Sequence, residues 1–254
     1  MRHYGIIGNP LGHSYSARLF SDLFAREKVD ADYALCPLDS LDKLPDLLHE
    51  HHLSGMSVTI PYKQRIMPLL DNIDPVAQQI GAVNVVAVGW TNNRYHLTGY
   101  NTDWSGFLFA LRPLLAQHSP IEQALVLGTG GAARAVVYAL NHIGIHPTLV
   151  SRNPDKGLTY ADLTADTIQA HRLIVNCTPL GMSPHTQACP DLPYHAIGSQ
   201  HILFDCIYNP AETLFLRHGQ EQGAATLNGM TMLKQQAWQA WQLFQHNQTE
   251  NQPI

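Results

Sequence analysis

Apolar positions in this chain follow two periods in turn. Compact runs rich in β-branched and aromatic residues read as strands: 3-HYGIIG-8, 32-DYALCPL-38, 55-GMSVTI-60 and 83-VNVVAVG-89. Between them, apolar residues recur every three or four positions in 16-SARLFSDLFAREK-28 and 41-LDKLPDLLHEH-51, the spacing of amphipathic helices. A third helix is predicted over 63–70, just after Pro61. The segments 83-VNVVAVGW-90 and 94-RYHLTGY-100 flank 91-TNN-93, turn-forming chemistry that predicts a β-hairpin. The amphipathic segment 103-DWSGFLFALRPLL-115 predicts a helix leading into a second alternation, with strands at 123-QALVLG-128, 147-PTLVS-151, 172-RLIVNCT-178 and 201-HILFDCIY-208. In the last helix, 230-MTMLKQQAWQAWQLFQH-246, Leu233, Ala237, Ala240, Trp241 and Phe244 share one face and are expected to pack into a core. Strands alternating with helices along the chain imply α/β layers.

The bulk numbers narrow the picture. At roughly 150 residues per domain, 254 residues suggest one or two domains. With 45% hydrophobic and 14% charged residues, the composition is that of a soluble globular protein. A net charge of −5 gives no basic footprint for nucleic acid. No apolar run approaches the ~18 residues of a membrane span, so no membrane partner is expected. The start, 1-MRHYGIIGNP-10, runs straight into a strand and a turn, so no secretory leader is expected. Cys36, Cys177, Cys189 and Cys206 form no C-x-x-C pair, which favours a reducing, cytoplasmic setting. The cluster 49-HEHH-52 puts His49 and His52 at the i, i+3 spacing of one helix face, but no motif supplies a third ligand and HExxH is absent. A solvated helix end, and no metal, is the expectation.

Two features carry chemistry. The first is 123-QALVLGTGGAARAVVYALNHIG-144, a strand, a glycine-rich turn and a helix. Gly128, Thr129, Gly130, Gly131 and Ala132, with Ala133 closing the fingerprint, form the variant of the dinucleotide motif that has Ala in its third position. Glycines allow a tight turn and close backbone approach, and the helix N-terminus offers N–H groups to a pyrophosphate. An NAD site carries an acid about 20 positions on; this chain has 151-SRNPDK-156 there. Ser151, Arg152 and Lys156 suit a 2′-phosphate, which favours NADP. The second feature is a pair of segment ends. Lys63 closes 57-SVTIPYK-63, where the predicted helix start would make a neutral amine easier to reach. Asp103 closes 99-GYNTD-103, before another helix. A proton-transferring amine beside a carboxylate suits reversible oxidation of an alcohol.

In chain order, 8-GNPLGHSYS-16, 58-VTIPYK-63, 81-GAVN-84, 99-GYNTD-103, 128-GTGGAA-133, 176-NCTPLGM-182, 205-DCIYNP-210 and 232-MLKQQA-237 resemble the shikimate dehydrogenase family over nearly the whole chain. The resemblance implies reversible, NADP-dependent interconversion of 3-dehydroshikimate and shikimate. It implies an α/β fold of two domains: a substrate domain over 1–102, to which 229–254 returns, and a Rossmann-like dinucleotide domain over 103–228, with the site in a cleft between them. Lys63 and Asp103 correspond to the catalytic pair. Ser14 and Ser16 correspond to the hydroxyls that hold the substrate carboxylate, and Thr59, Asn84, Tyr208 and Gln236 to the rest of the substrate set. Thr178 and Gly229, with the stretch 176–182, correspond to the part that closes around the nicotinamide. Partners are then a small-molecule substrate and the cofactor, in a monomer or homodimer. The chain departs from the family's pattern at 17-ARLFSD-22, at Ser57 (usually Asn) and at Trp104 (commonly Gly). Two other readings stay open: a quinate/shikimate dehydrogenase using NAD, for which an acid at 151–153 would speak, and a non-catalytic ligand-sensing relative, against which Lys63 and Asp103 speak.

Overall fold

The computed structural model describes residues 1–12, 15–118 and 120–249, with side chains described up to residue 246. The chain forms two compact units, one of residues 1–102 with the chain from 236 onward, the other of residues 103–235.

The first unit contains β1 (Arg2–Gly8), α1 (Ser16–Glu27), β2 (Ala31–Pro37), α2 (Leu44–His51), β3 (Leu53–Val58), β4 (Asn72–Ile73), α3 (Pro75–Ile80), β5 (Val85–Thr91) and β6 (Arg94–Tyr100). Among the described residues its strands form one six-stranded sheet, ordered β2-β1-β3-β5-β6-β4. β1 pairs in parallel with β2 and β3, whereas β5 runs antiparallel to both β3 and β6. Alternating side chains feed two cores, as the strand period of two requires. Ile7, Met56, Val86 and Val88 pack with Leu44 and Leu48 of α2, while Tyr4, Ile6 and Val85 pack with Phe20 and Phe24 of α1. The predicted hairpin forms: Asn92 and Asn93 both take positive φ (50° and 61°), the backbone that a two-residue turn between twisted strands demands.

The second unit contains α4 (Asp103–Leu115), β7 (Gln123–Leu127), α5 (Gly131–His142), β8 (His146–Val150), α6 (Ala165–Ala170), β9 (Leu173–Asn176), β10 (Ile202–Asp205), α7 (Leu214–Glu221) and β11 (Ala225–Leu227). All its sheet pairings are parallel, in the order β11-β10-β9-β7-β8. Such a sheet is buried on both faces. Ala124, Val126, Val175 and Phe204 face α4 and α5, and Leu125, Leu127, Ile174 and Leu203 face α6 and α7. The first connection leaves β7 for β8 on one side and the next strand, β9, lies on the other. The topological switch point, where open α/β sheets bind ligands, therefore falls between β7 and β9.

The last helix, α8 (Met230–Thr249), spans the division between the units, which falls between Gln235 and Gln236 rather than before the helix as expected. Of its predicted apolar face, Ala240, Trp241 and Phe244 are buried in the aromatic core with Tyr4 and Phe24, Ala237 packs at its edge, and Leu233 is buried. Tyr4 stacks on Phe244 at 5.0 Å and meets Trp241 edge-on at 5.7 Å.

One predicted helix is absent. Residues 63–66 form turns, followed by a short 3₁₀ segment at Met67–Leu69. Pro68 explains it: with no N–H to give and a ring that clashes with the carbonyl four residues back, it cannot continue an α-helix begun at Lys63. Lys63 therefore stands in a turn and does not open an α-helix.

Candidate active site

The glycine turn has the geometry that its sequence calls for. β7 ends at Leu127, Gly128 turns with φ +107°, and Gly130 is the N-cap of α5. With no side chain to give, Gly130 leaves the first N–H groups of a twelve-residue helix uncapped, an anion-binding end. A Cβ on Gly128 would approach the Thr178 methyl to 3.2 Å and the Cys177 carbonyl to 3.4 Å, so the turn needs both the positive φ and the space. Thr129, Gly131 and Ala132 are half-buried along the same turn. These residues fit a dinucleotide pyrophosphate at the switch point between β7 and β9.

After β8, Ser151 is buried and its hydroxyl accepts from the Asn153 N–H at 3.1 Å. Asn153 in turn caps the 3₁₀ turn Pro154–Lys156 by accepting from the Asp155 N–H at 3.0 Å. Arg152 and Lys156 are thereby held exposed on a closed loop. The Arg152 guanidinium lies close enough to Tyr160 to oppose the upward push that burial gives its phenol.

The strand ends beside the turn form a buried polar network that the sequence reading did not single out. Asn176 and Asp205 are fully buried. The predicted strands 172–178 and 201–208 stop at these two residues, because their side chains bond the turns that follow. Asn176 Oδ1 accepts from the Thr178 N–H (3.0 Å) and hydroxyl (2.6 Å), and Asp205 Oδ1 accepts from the Ile207 N–H (3.0 Å). Burial pushes the Asp205 carboxyl up to about 6, against the lowering effect of its hydrogen bonds to Thr213, Ile207 and Asn176. Cys177 and Cys206 face each other, Sγ to Sγ 3.7 Å. The Cys177 thiol is pushed up first by that contact, then by burial and the nearby carboxylates of Asp205 and Asp103. Asp103, buried at the start of α4, thus lies within electrostatic reach of the loop after β9. Gly229, just before α8, donates its N–H to the Ile207 carbonyl at 2.9 Å, and a Cβ there would collide with the Cys206 carbonyl. Tyr208 is half-buried in the loop after β10.

In the first unit, three residues join. Asn84 Nδ2 donates to Thr102 Oγ1 (3.0 Å) and to Gln236 Oε1 (3.1 Å), while Asn84 Oδ1 accepts from the Thr102 N–H (2.7 Å). Thr102 Oγ1 also donates to the Gln236 carbonyl at 3.2 Å. Asn84 thereby fixes which end of the Gln236 amide is the oxygen, leaving Nε2 as the other end. Thr102 was missed because its role shows only once a residue 134 positions away is beside it. Lys63 is half-buried, and its carbonyl accepts from the Val83 N–H at 2.7 Å. Thr59 follows β3 with its N–H bonded to the Ile7 carbonyl at 2.9 Å, and Ser16 opens α1, buried. Ser14 lies outside the described residues. Lys63 belongs to the first unit and Asp103 to the second.

The departures find local partners. Ser57 Oγ accepts from the Tyr33 hydroxyl at 2.7 Å, and Tyr33 stacks on Phe20 at 4.1 Å. Trp104 packs edge-on against Tyr138 (5.3 Å) and His142 (5.5 Å) of α5. His49 and His52 pack on Trp90 at 5.5 and 5.0 Å. No helix among the described residues is long and apolar enough to cross a membrane.

A doubly wound parallel sheet with this turn at its switch point defines a dinucleotide-binding protein of the Rossmann-like class, here joined to a second α/β unit. The chain belongs to the shikimate dehydrogenase family. Residues 6–86 match the family's substrate binding domain. A relative from Desulforamulus reducens, named shikimate dehydrogenase (NADP(+)), is 35% identical across 94% of this chain and 88% of its own. The solved structure of shikimate dehydrogenase from Aquifex aeolicus is similar with a TM-score of 0.85 at 32% identity, covering 97% of this chain and 93% of that one. The Thermus thermophilus enzyme, solved in complex with NADP(H) and shikimate, is similar with a TM-score of 0.83 at 31% identity, covering 97% and 94%.

Proposed function

We propose that this protein catalyses the reversible, NADPH-dependent reduction of 3-dehydroshikimate to shikimate, a step of aromatic amino-acid biosynthesis. The observation that carries the proposal is the likeness, over 94% of the chain, to a relative named for that activity. The glycine turn and the uncapped start of α5 suit the pyrophosphate, and Ser151, Arg152 and Lys156 suit the 2′-phosphate. When bound, NADPH supplies the hydride. Lys63 gives a proton to the nascent alkoxide oxygen during reduction and accepts it during oxidation, with Asp103 as its partner. Ser14 and Ser16 hold the substrate carboxylate. Thr59, Asn84, Tyr208 and Gln236 bind the rest of the substrate, Gln236 through the Nε2 end that Asn84 does not hold. Thr178 and Gly229 line the nicotinamide end. The enzyme acts in the cytoplasm as a monomer or homodimer.

The test follows NADPH and NADH consumption with 3-dehydroshikimate and, separately, with 3-dehydroquinate. Consumption of NADPH with 3-dehydroshikimate is expected to dominate. Lys63→Ala is expected to fold normally but to lose roughly 10²–10⁴-fold in kcat, the scale of general acid–base catalysis. Near-normal turnover of that variant would remove Lys63 from the mechanism, and no consumption by the unmodified chain would remove the activity itself.

A further inference from the structure

Asp205 closes β10 without exposing any of its carboxylate, and the groups that hold it are donors. Oδ1 accepts from the Ile207 N–H (3.0 Å) and from Asn176 Nδ2 (3.1 Å), and Oδ2 accepts from the Thr213 hydroxyl (2.6 Å). A carboxylate has no hydrogen to give, so the group Asn176 turns towards it must be its NH₂. That choice orients the rest of the amide. Asn176 Oδ1 points the other way and accepts both the N–H and the hydroxyl proton of Thr178. Thr178 Oγ1, with its proton committed, accepts from the Leu180 N–H at 3.3 Å. Two side-chain-closed turns in succession therefore shape residues 176–180, and the Asn176 NH₂ that sets their sense is held by Asp205 at 3.1 Å and, more weakly, by the Leu180 carbonyl at 3.4 Å. The far end of the chain of bonds is the cofactor turn, because the Thr178 methyl is the nearest group that a Cβ on Gly128 would meet.

We propose that Asp205 is a positioning residue for the dinucleotide site: by fixing the Asn176 amide it holds Thr178 and the 176–182 loop against the Gly128 turn, so that the loop is ordered before the cofactor arrives. The inference deepens the NADPH-dependent dehydrogenase reading and rests on it. An Asp suits the task better than a neutral amide, since both its oxygens accept and it has no second orientation. A loop ordered in advance removes part of the entropy loss that binding otherwise carries.

Three variants of the full-length chain test it: Asp205→Ala, Asp205→Asn and Thr213→Val. Two measurements are made on each. One is the affinity for NADPH by fluorescence titration, alongside the KM for NADPH and for 3-dehydroshikimate. The other is amide hydrogen exchange of the 176–182 segment without cofactor. Asp205→Ala leaves the Asn176 NH₂ with only its longer bond to the Leu180 carbonyl (3.4 Å) and is expected to weaken NADPH about tenfold. It should also speed loop exchange by about the same factor while the KM for 3-dehydroshikimate stays within about twofold. Asp205→Asn keeps an acceptor towards Asn176 and Ile207, and the Thr213 hydroxyl can rotate to accept; it is expected to restore both readouts to within about threefold. Thr213→Val removes the Oδ2 partner and the N-cap of α7, so it should lower Tm by about 3 °C without changing NADPH affinity. Should Asp205→Ala not fold, Asn176→Ala breaks the same link and is expected to show the same loss. Unchanged affinity and exchange in the Ala variant, or an Asn variant as impaired as Ala, overturns the inference alone. An unmodified chain that binds no NADPH overturns the functional reading and the cofactor role of Asp205 together.

Discussion

At the scale of single residues, the second unit accepts an electrostatic penalty at Asp205. An aspartate titrates near 3.9 in an unfolded chain, and burial lifts this one to about 6. A raised carboxyl pKa means that the folded state holds the proton more tightly than the unfolded one. The associated stabilisation is complete below about pH 4 and is lost as pH rises through about 6, an effect of about 3 kcal/mol for a two-unit shift. Cys177 and Tyr194, which the same carboxylate faces, are both pushed upward and stay protonated through that range. Asp205→Asn should therefore gain stability over the unmodified protein as pH rises from 4 to 7.5. Urea unfolding at several pH values measures this, and parallel stability curves would contradict it. The glycines of 128–131 carry a sequence signature that the structure realises as a turn, and the proposed roles of Lys63, Asp103 and Arg152 rest on signatures too: matching strings for the pair, and a base in place of an acid for Arg152. Thr102, Asn176 as an amide relay and Asp205 as its anchor carry none. Their significance lies in bonds between strand ends or between residues far apart in the chain, and nothing local marks them.

At the scale of elements, the errors have definite causes. The helix predicted from Lys63 fails at Pro68, and the strands predicted over 172–178 and 201–208 end early at an Asn and an Asp that turn their side chains onto the backbone ahead. At six to eight residues, α3, α6 and α7 are too short to show a clear period in the sequence. Each has a cap that would have announced it. Asp74 accepts from the N–H groups of Val76 (2.9 Å) and Ala77 (3.3 Å), Pro75 begins α3, and Gly81 ends it with φ 69°. A six-residue helix has little else to hold it. Asp74→Ala is expected to cost about 1 kcal/mol of stability, measured by chemical denaturation, with no change in NADPH affinity; a loss of affinity would mean that α3 does more than pack. The hairpin was readable because its turn chemistry is local: two Asn residues tolerate the left-handed backbone that the turn imposes.

At the scale of the whole molecule, the second unit's five parallel strands carry the dinucleotide site, and a ligand that binds only the folded form stabilises it by mass action. NADPH at about 100 times its dissociation constant should add about 2.7 kcal/mol, raising the melting transition of residues 103–235 by roughly 5–10 °C. NADH at the same concentration should raise it less, because Arg152 and Lys156 have no 2′-phosphate to meet. Scanning fluorimetry with each cofactor reads this directly, and equal shifts would take these two residues out of cofactor selection. The sequence by itself determined the α/β alternation, the glycine turn and the likeness to the family, because each is written in local spacing and residue type, and the choice of Lys63 and Asp103 as the proposed acid–base pair follows from that likeness. Only the tertiary structure decided that Lys63 stands in a turn, that Asn84 and Thr102 orient Gln236, and that Asp205 steers Thr178 against Gly128. Hydrogen-bond direction and burial depend on which distant segments the sheets bring side by side.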